Sequence, residues 1–157
     1  MIPMQYALRR RMMNRIPQLF YYGLAPELSV KRERPVATSV GNYALFGGGH
    51  SGTDYLSTVD AYDTSLIRTT PTPLSVARYY LAATTVGNYA LFGGGYNGTD
   101  YLSTVDAYDT SLTRTTPTAL SVARDGLSAT TVGNYALFGG GYNGTDRLST
   151  VDAYQVK

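Results

Sequence analysis

One phrase occurs three times in this chain, in copies that stand 46 residues apart. Val40-Gly41-Asn42-Tyr43-Ala44-Leu45-Phe46-Gly47-Gly48-Gly49 returns from Val86 to Gly95 and from Val132 to Gly141. A second phrase, Leu56-Ser57-Thr58-Val59-Asp60-Ala61-Tyr62, returns from Leu102 to Tyr108 and from Leu148 to Tyr154. A fixed period of this length marks a repeat architecture, in which one supersecondary unit buries its apolar face by stacking on its neighbours.

Within a unit, β-formers gather in short runs divided by Gly, Asn, Asp and Pro, the signature of strands and tight turns. In the middle copy the pattern predicts strands over residues 83–86, 89–92, 103–108 and 113–116. Gly87-Asn88 supplies a two-residue hairpin turn, with positive φ expected to be tolerated at both positions. Asp109-Thr110-Ser111 makes a second turn, and Pro117 closes the last strand. No ten-residue helical period occurs in the repeat. Four short antiparallel strands per unit predict an all-β fold of propeller blades.

Composition removes several chemistries. The chain has no Cys, which excludes disulfides and thiolate metal sites. His50 is its single His, so neither a multi-histidine metal site nor a Ser/His/Asp constellation recurring with the repeat is available. The glycine runs end a strand instead of opening a helix and carry no following Gly-Lys-Ser/Thr, so they read as turns and not as a phosphate cradle. Asp54, Asp100 and Asp146 lack the nine-residue recurrence of a calcium β-roll and read as turn caps. Asp60/Asp63 and Asp106/Asp109 are copied from blade to blade, which assigns them to the scaffold. Asn97-Gly98-Thr99 and Asn143-Gly144-Thr145 match a glycosylation acceptor and are read as Asn-Gly turns. These readings predict a chain that is not an enzyme and uses no metal and no cofactor.

The net charge of +2 conceals an asymmetry: residues 1–34 carry +5 and residues 35–157 carry −3. Residues 1–18 read as a basic, solvated, partly helical arm, and residues 19–157 as the repeat domain. The arm has no apolar run of the ~7–15 residues that a secretory signal needs. Nothing approaches the ~18 apolar residues of a membrane span. The expectation is no membrane partner, a cytoplasmic location and little call for nucleic acid.

The repeat resembles the kelch motif, with its glycine doublet after an apolar strand, then a Tyr, then an aromatic six residues later. Gly47-Gly48 with Tyr62, Gly93-Gly94 with Tyr108 and Gly139-Gly140 with Tyr154 carry the likeness, over about residues 28–156. The Leu-Ser-Val-Ala-Arg phrases ending at Arg78 and Arg124 are similar to the kelch segment that leads into the next blade. Where the family has Trp, this chain has Arg68 and Arg114, which implies thinner packing between blades. The resemblance implies blades over about residues 37–70, 83–116 and 129–156.

The phase of the repeat carries a further expectation. Residues 19–156 number 138, three periods of 46, and residues 19–24 fall where a fourth strand would stand for a blade begun by the C-terminus. Three blades lie below the usual 4–8 of a closed propeller. A head-to-tail homodimer would make a six-bladed ring, and the rival is an open arc.

Differences between copies fall in two clusters. The first is Glu33-Arg34-Pro35-Val36, Tyr79-Tyr80-Leu81-Ala82 and Asp125-Gly126-Leu127-Ser128. The second is His50-Ser51, Tyr96-Asn97 and Tyr142-Asn143, with Tyr55, Tyr101 and Arg147 downstream. The resemblance implies that these two loops emerge on one face that binds ligand, with an Arg at Arg32, Arg78 and Arg124 and an aromatic at Tyr96 and Tyr142. Candidate ligand contacts are therefore Arg32, Arg78, Arg124, Tyr79, Tyr80, His50, Tyr96, Asn97, Tyr142 and Asn143. Tyrosine gives rigid amphipathic contact and arginine gives bidentate recognition, which points to a protein or peptide partner and a scaffolding role. Carbohydrate is the alternative, and Tyr6-Ala7-Leu8-Arg9-Arg10-Arg11-Met12-Met13 resembles the N-termini of phage-derived tail-associated proteins, which adds a structural role in a particle.

Overall fold

The structure, a computed structural model, describes residues 16–157. The basic arm expected over residues 1–18 lies, as far as residue 15, outside the described residues, as does the 6–13 stretch. Each repeat folds into an antiparallel sheet of one pattern, four-stranded in the first two copies and three-stranded in the last. The first blade runs β1 (Val36–Val40), β2 (Tyr43–Gly47), β3 (Val59–Tyr62) and β4 (Arg68–Thr69), hydrogen-bonded in that order. The second runs β5 (Ala82–Val86), β6 (Tyr89–Gly93), β7 (Val105–Tyr108) and β8 (Arg114–Thr115) in the same way. The third has β9 (Ser128–Val132), β10 (Tyr135–Gly139) and β11 (Val151–Gln155), with β10 in the middle. The protein is an all-β arc of three propeller blades.

The hairpins differ from expectation in one respect. Gly41, Gly87 and Gly133 all have φ near 54°, but the Asn that follows each keeps a negative φ. Glycine at the first central position alone is the pattern of a type II′ turn, whose twist suits the flanking strands. The third strand of the middle blade starts at Val105 rather than at residue 103, because the Ser103 carbonyl accepts a bond from Leu120 N at 2.8 Å instead of joining the ladder.

The core lies between blades. Side chains alternate along each strand, so one face of a blade looks forward and the other back. Val40, Leu45, Val59 and Ala61 form the forward face of the first blade and meet Ala90, Phe92 and Tyr108 on the rear face of the second, with Leu74 and Leu81 from the connecting segment. The next interface repeats the arrangement, with Val86, Leu91, Val105 and Ala107 against Ala136 and Phe138, and Leu120 and Leu127 from the connection. A Cβ at Gly47 would stand 2.9 Å from the Phe92 ring, and one at Gly93 would stand 2.8 Å from that of Phe138. Each blade thus gives up a side chain so that the next blade's phenylalanine can lie on its backbone.

Threonines join the first strands of successive blades. Thr38 Oγ1 lies 2.6 Å from Thr85 Oγ1, and Thr84 Oγ1 lies 2.7 Å from Thr131 Oγ1. Thr85 Oγ1 also donates to the Ser39 carbonyl, and Thr131 Oγ1 donates to the Thr85 carbonyl at 2.6 Å.

The two ends of the arc are bare. Val40 and Val86 are 1% and 3% exposed, whereas the equivalent Val132 is 62% exposed. Residues 19–24 are exposed, carry no regular secondary structure and pair with no strand among the described residues, so the closing strand expected there does not form in the single copy described.

Candidate functional site

The two variable clusters meet on one face. Tyr79 N donates to Tyr96 O at 3.1 Å and Tyr96 N donates to Tyr79 O at 2.9 Å, which locks the inter-blade loop to the loop after the glycines. Glu33 with His50, and Asp125 with Tyr142, form the same reciprocal pair. Isolated bridges then connect His50 to Tyr55, Tyr96 to Tyr101 and Tyr142 to Arg147. Backbone pairing holds these side chains, so the rim of each blade is a short ladder and not a free loop.

A row of rings crosses the three blades on this rim. His50 and Tyr55 lie with centroids 4.9 Å apart, Tyr55 and Tyr79 5.2 Å, and Tyr79 and Tyr80 4.2 Å. Tyr55 reaches Tyr96 at 6.1 Å, Tyr96 reaches Tyr101 at 5.0 Å, and Tyr101 reaches Tyr142 at 5.6 Å. All but the tilted Tyr96–Tyr101 pair are edge-on, and such geometries at these distances contribute beyond simple burial. The rings are half-buried, except Tyr142, which is exposed. Tyr55 and Tyr101 recur as variable positions in the sequence but are absent from the candidate contacts; they turn out to link one blade's rings to the next.

Tyr80 holds a left-handed backbone at φ 54°, as does Arg34 at 51° in the first blade, and the third blade places Gly126 there at 63°. A side chain at such a φ costs on the order of 1 kcal/mol. Here it carries a ring on which the Arg34 guanidinium sits, 4.1 Å from the centroid. Burial pushes the Asp125 carboxyl above the usual carboxylate range, and it also raises the Tyr79 and Tyr101 hydroxyls, which Asp125 pushes further up.

Three of the expected contacts lie away from this surface, and two more have a structural role within it. Arg32, Arg78 and Arg124 have fully buried side chains. Arg78 Nη2 lies 2.8 Å from Asp106 Oδ2 and also donates to the Phe92 carbonyl at 3.2 Å, while its Nη1 donates to the Thr104 carbonyl at 3.1 Å. Arg32 pairs with Asp60 at 2.8 Å and Arg124 with Asp152 at 3.0 Å. A guanidinium withdrawn from water stays charged only with such partners, and these arginines pin the entering segment to its blade. Burial pulls the Arg78 guanidinium below its ordinary value and Asp106 opposes that pull. Asn97 and Asn143 are turn caps: each side-chain oxygen accepts two backbone N–H bonds, from Thr99 and Asp100 and from Thr145 and Asp146. The cap in these loops is thus the Asn and not the Asp that follows.

The outer strand is tied down by arginines as well. Arg114 Nη1 donates to the Pro73 carbonyl at 2.6 Å and Arg68 Nη1 to the Glu27 carbonyl at 2.6 Å, so these arginines tie the outer strand to the segment entering the blade. Tyr62, Tyr108 and Tyr154 do the same with hydroxyl bonds of 2.7 Å to the carbonyls of Pro26, Thr72 and Thr118. Burial raises all three hydroxyls, the neighbouring aspartates raise them further, and Tyr154 reaches about 12. A hydroxyl must stay neutral to donate, and its folded pKa lies above the ordinary tyrosine value of 10.0. Its contribution is therefore complete below pH 10 and disappears as the pH rises through about 12 for Tyr154. We expect stability, followed by circular dichroism against urea, to fall across that window, and Tyr154→Phe to flatten the fall. Unchanged slopes in the variant would remove Tyr154 from the account.

These features define a class: a non-closed β-propeller arc with an aromatic rim on one loop face. No family model and no curated protein matches the chain. A solved structure of YjhT is similar to it in fold, with a TM-score of 0.74, 15% sequence identity, and 88% of this chain and 46% of that chain covered. The chain thus spans about half the length of YjhT, and the likeness is one of fold.

Proposed function

We propose that the protein is a non-catalytic binding and scaffold module of kelch-like blades that recognises a protein or peptide through its tyrosine rim, and that it works as a homodimer. The observation that carries the binding reading is the row of rings from His50 to Tyr142, pre-set by backbone pairs. Rigid aromatic side chains that lose little entropy on contact are the usual centres of recognition surfaces. Arg34, Glu33, Asp125 and Arg147 border the rings and supply the polar rim such surfaces carry. The buried arginines leave recognition to the rings.

Carbohydrate is the second reading, favoured by tyrosine rings flanked by the exposed Thr99, Asp100, Thr145 and Asp146. A role in a particle rests on residues 6–13 alone. The test is a variant with Tyr79, Tyr80 and Tyr96 all changed to Ala, compared with the wild type against a displayed peptide library and a glycan array. Peptides enriched by the wild type should bind the variant at least tenfold less, about 1.4 kcal/mol. A signal on glycans alone that the variant loses would move the assignment to carbohydrate. Equal binding by both proteins, or none by the wild type, would overturn the rim as a recognition surface.

A further inference from the structure

We propose that the two end faces of the arc are each other's partners: the rear face of the first blade docks on the forward face of the third blade of a second copy, twice, in a ring of two chains. This deepens the homodimer reading and rests on it. The first support is that both halves of a joint used twice within the arc stand uncovered by any described residue at its two end faces. Phe92 and Phe138 are fully buried on glycine backbone, but their equivalent Phe46 is half-exposed over a groove lined by Ala25, Pro26, Leu28, Ala44, Tyr62 and Leu66. Gly139, the third equivalent of Gly47 and Gly93, meets only Val151 Cγ2 at 3.4 Å and has room for a ring. Gly41 and Gly87 are covered by Thr110 and Val156 of the following blade, and Gly133 has nothing within 4 Å. Val151 is 59% exposed, where its equivalents Val59 and Val105 are 1% and 0%.

The inner strands carry the joint forward as well. Thr84 meets Thr131 across the second interface, so the 46-residue shift sets Thr130 against Ser39 of the next copy, which keeps the hydroxyl. The outer strand completes the exchange. Tyr22-Gly23 stands one period before Arg68-Thr69 and so aligns beside β11, where Asp152, unlike Asp60 and Asp106, is 20% exposed. The apolar residues Leu19, Phe20 and Leu24 beside it are all more than three-quarters exposed in the single chain. Strand addition of this kind covers them and the open edge of the third sheet.

Charge specifies the partner. Tyr55 lies over Gly98 beside Tyr79, and Tyr101 lies over Gly144, near Asp125. One period on, the reaching residue is Arg147, the glycine is the uncovered Gly52, and the residue beside it is Glu33. Aromatic contact inside the chain becomes an Arg147–Glu33 ion pair between copies, so opposite charges meet where two copies join. The count of two follows from the blades: one copy supplies three, below the usual 4–8 of a closed propeller, and two copies supply six.

The experiment is light scattering on the 157-residue chain and its variants, with circular dichroism confirming folding. The expected mass is twice 17.0 kDa. Gly139→Val should give a folded monomer, since within one chain the added carbons meet only the exposed Val151. Glu33→Arg should weaken the dimer by about tenfold, because it turns attraction into repulsion at both junctions, and Glu33→Arg with Arg147→Glu should restore it. A monomeric wild type would overturn both the homodimer and this joint. A dimer indifferent to Gly139→Val and to charge reversal would overturn the joint and leave the homodimer standing. Should Gly139→Val fail to fold, the charge pair decides alone.

Discussion

Asp106→Ala is expected to lower the stability of the chain by about 3–5 kcal/mol in urea denaturation, because it leaves the Arg78 guanidinium buried without its counter-charge. Asp106 also accepts from Ser75 N at 3.1 Å and Ser75 Oγ at 3.0 Å, and its second oxygen lies 3.8 Å from Arg114 Nε. One carboxylate therefore organises the entering segment, the third strand and the outer strand of its blade. Replacing Arg78 and Asp106 together by Met and Leu should cost far less, since no charge is then left in the interior. The equivalent Asp152→Ala should be milder, because Asp152 is 20% exposed and water can screen what remains. Equal losses at Asp106 and Asp152 would mean that burial is not what makes the pair costly to break.

Phe92→Ala is the second large effect, about 3–5 kcal/mol, the usual cost of removing a buried aromatic ring. The ring lies on Gly47 and stands edge-on to Tyr108 at 5.7 Å, so its loss opens a cavity in the first inter-blade cluster. Phe46→Ala removes the same ring at the same place in the repeat and should cost much less in an isolated chain, since no blade of that chain covers it. Thermal denaturation of the pair at dilution separates the two: similar shifts would show that the core lies within blades and not between them.

The strands were legible because each rests on local chemistry. Ser103 to Tyr108 alternates in period two, Gly87 permits the II′ turn, and the Asp109 side chain closes its own turn by accepting from Ser111 and Thr113 N. The meeting of the two variable clusters was legible through the kelch likeness. The arginines were not, because an Arg at the start of a loop looks like a surface residue, and its burial depends on an aspartate 28 residues further on. Arg32 with Asp60, Arg78 with Asp106 and Arg124 with Asp152 all keep that spacing. The reasoning that assigned the copied aspartates to the scaffold applies equally to the copied arginines. The capping role of Asn97 was hidden for a similar reason: its side-chain oxygen accepts from two backbone N–H groups, a pairing no sequence pattern displays. The link from Tyr55 to Tyr79 was hidden because it joins different blades, and only the stacking of one unit on the next brings those rings to 5.2 Å.

Because each unit carries both a glycine seat and the ring that fills the preceding unit's seat, every unit fits before or after every other. Unequal recombination that adds or deletes one 46-residue unit would then change only copy number, with each new boundary already compatible. The geometry of such a lineage can vary in steps of whole blades while its joint chemistry stays fixed, and the rim residues that alternate between Glu33, Tyr79 and Asp125 are free to diversify separately.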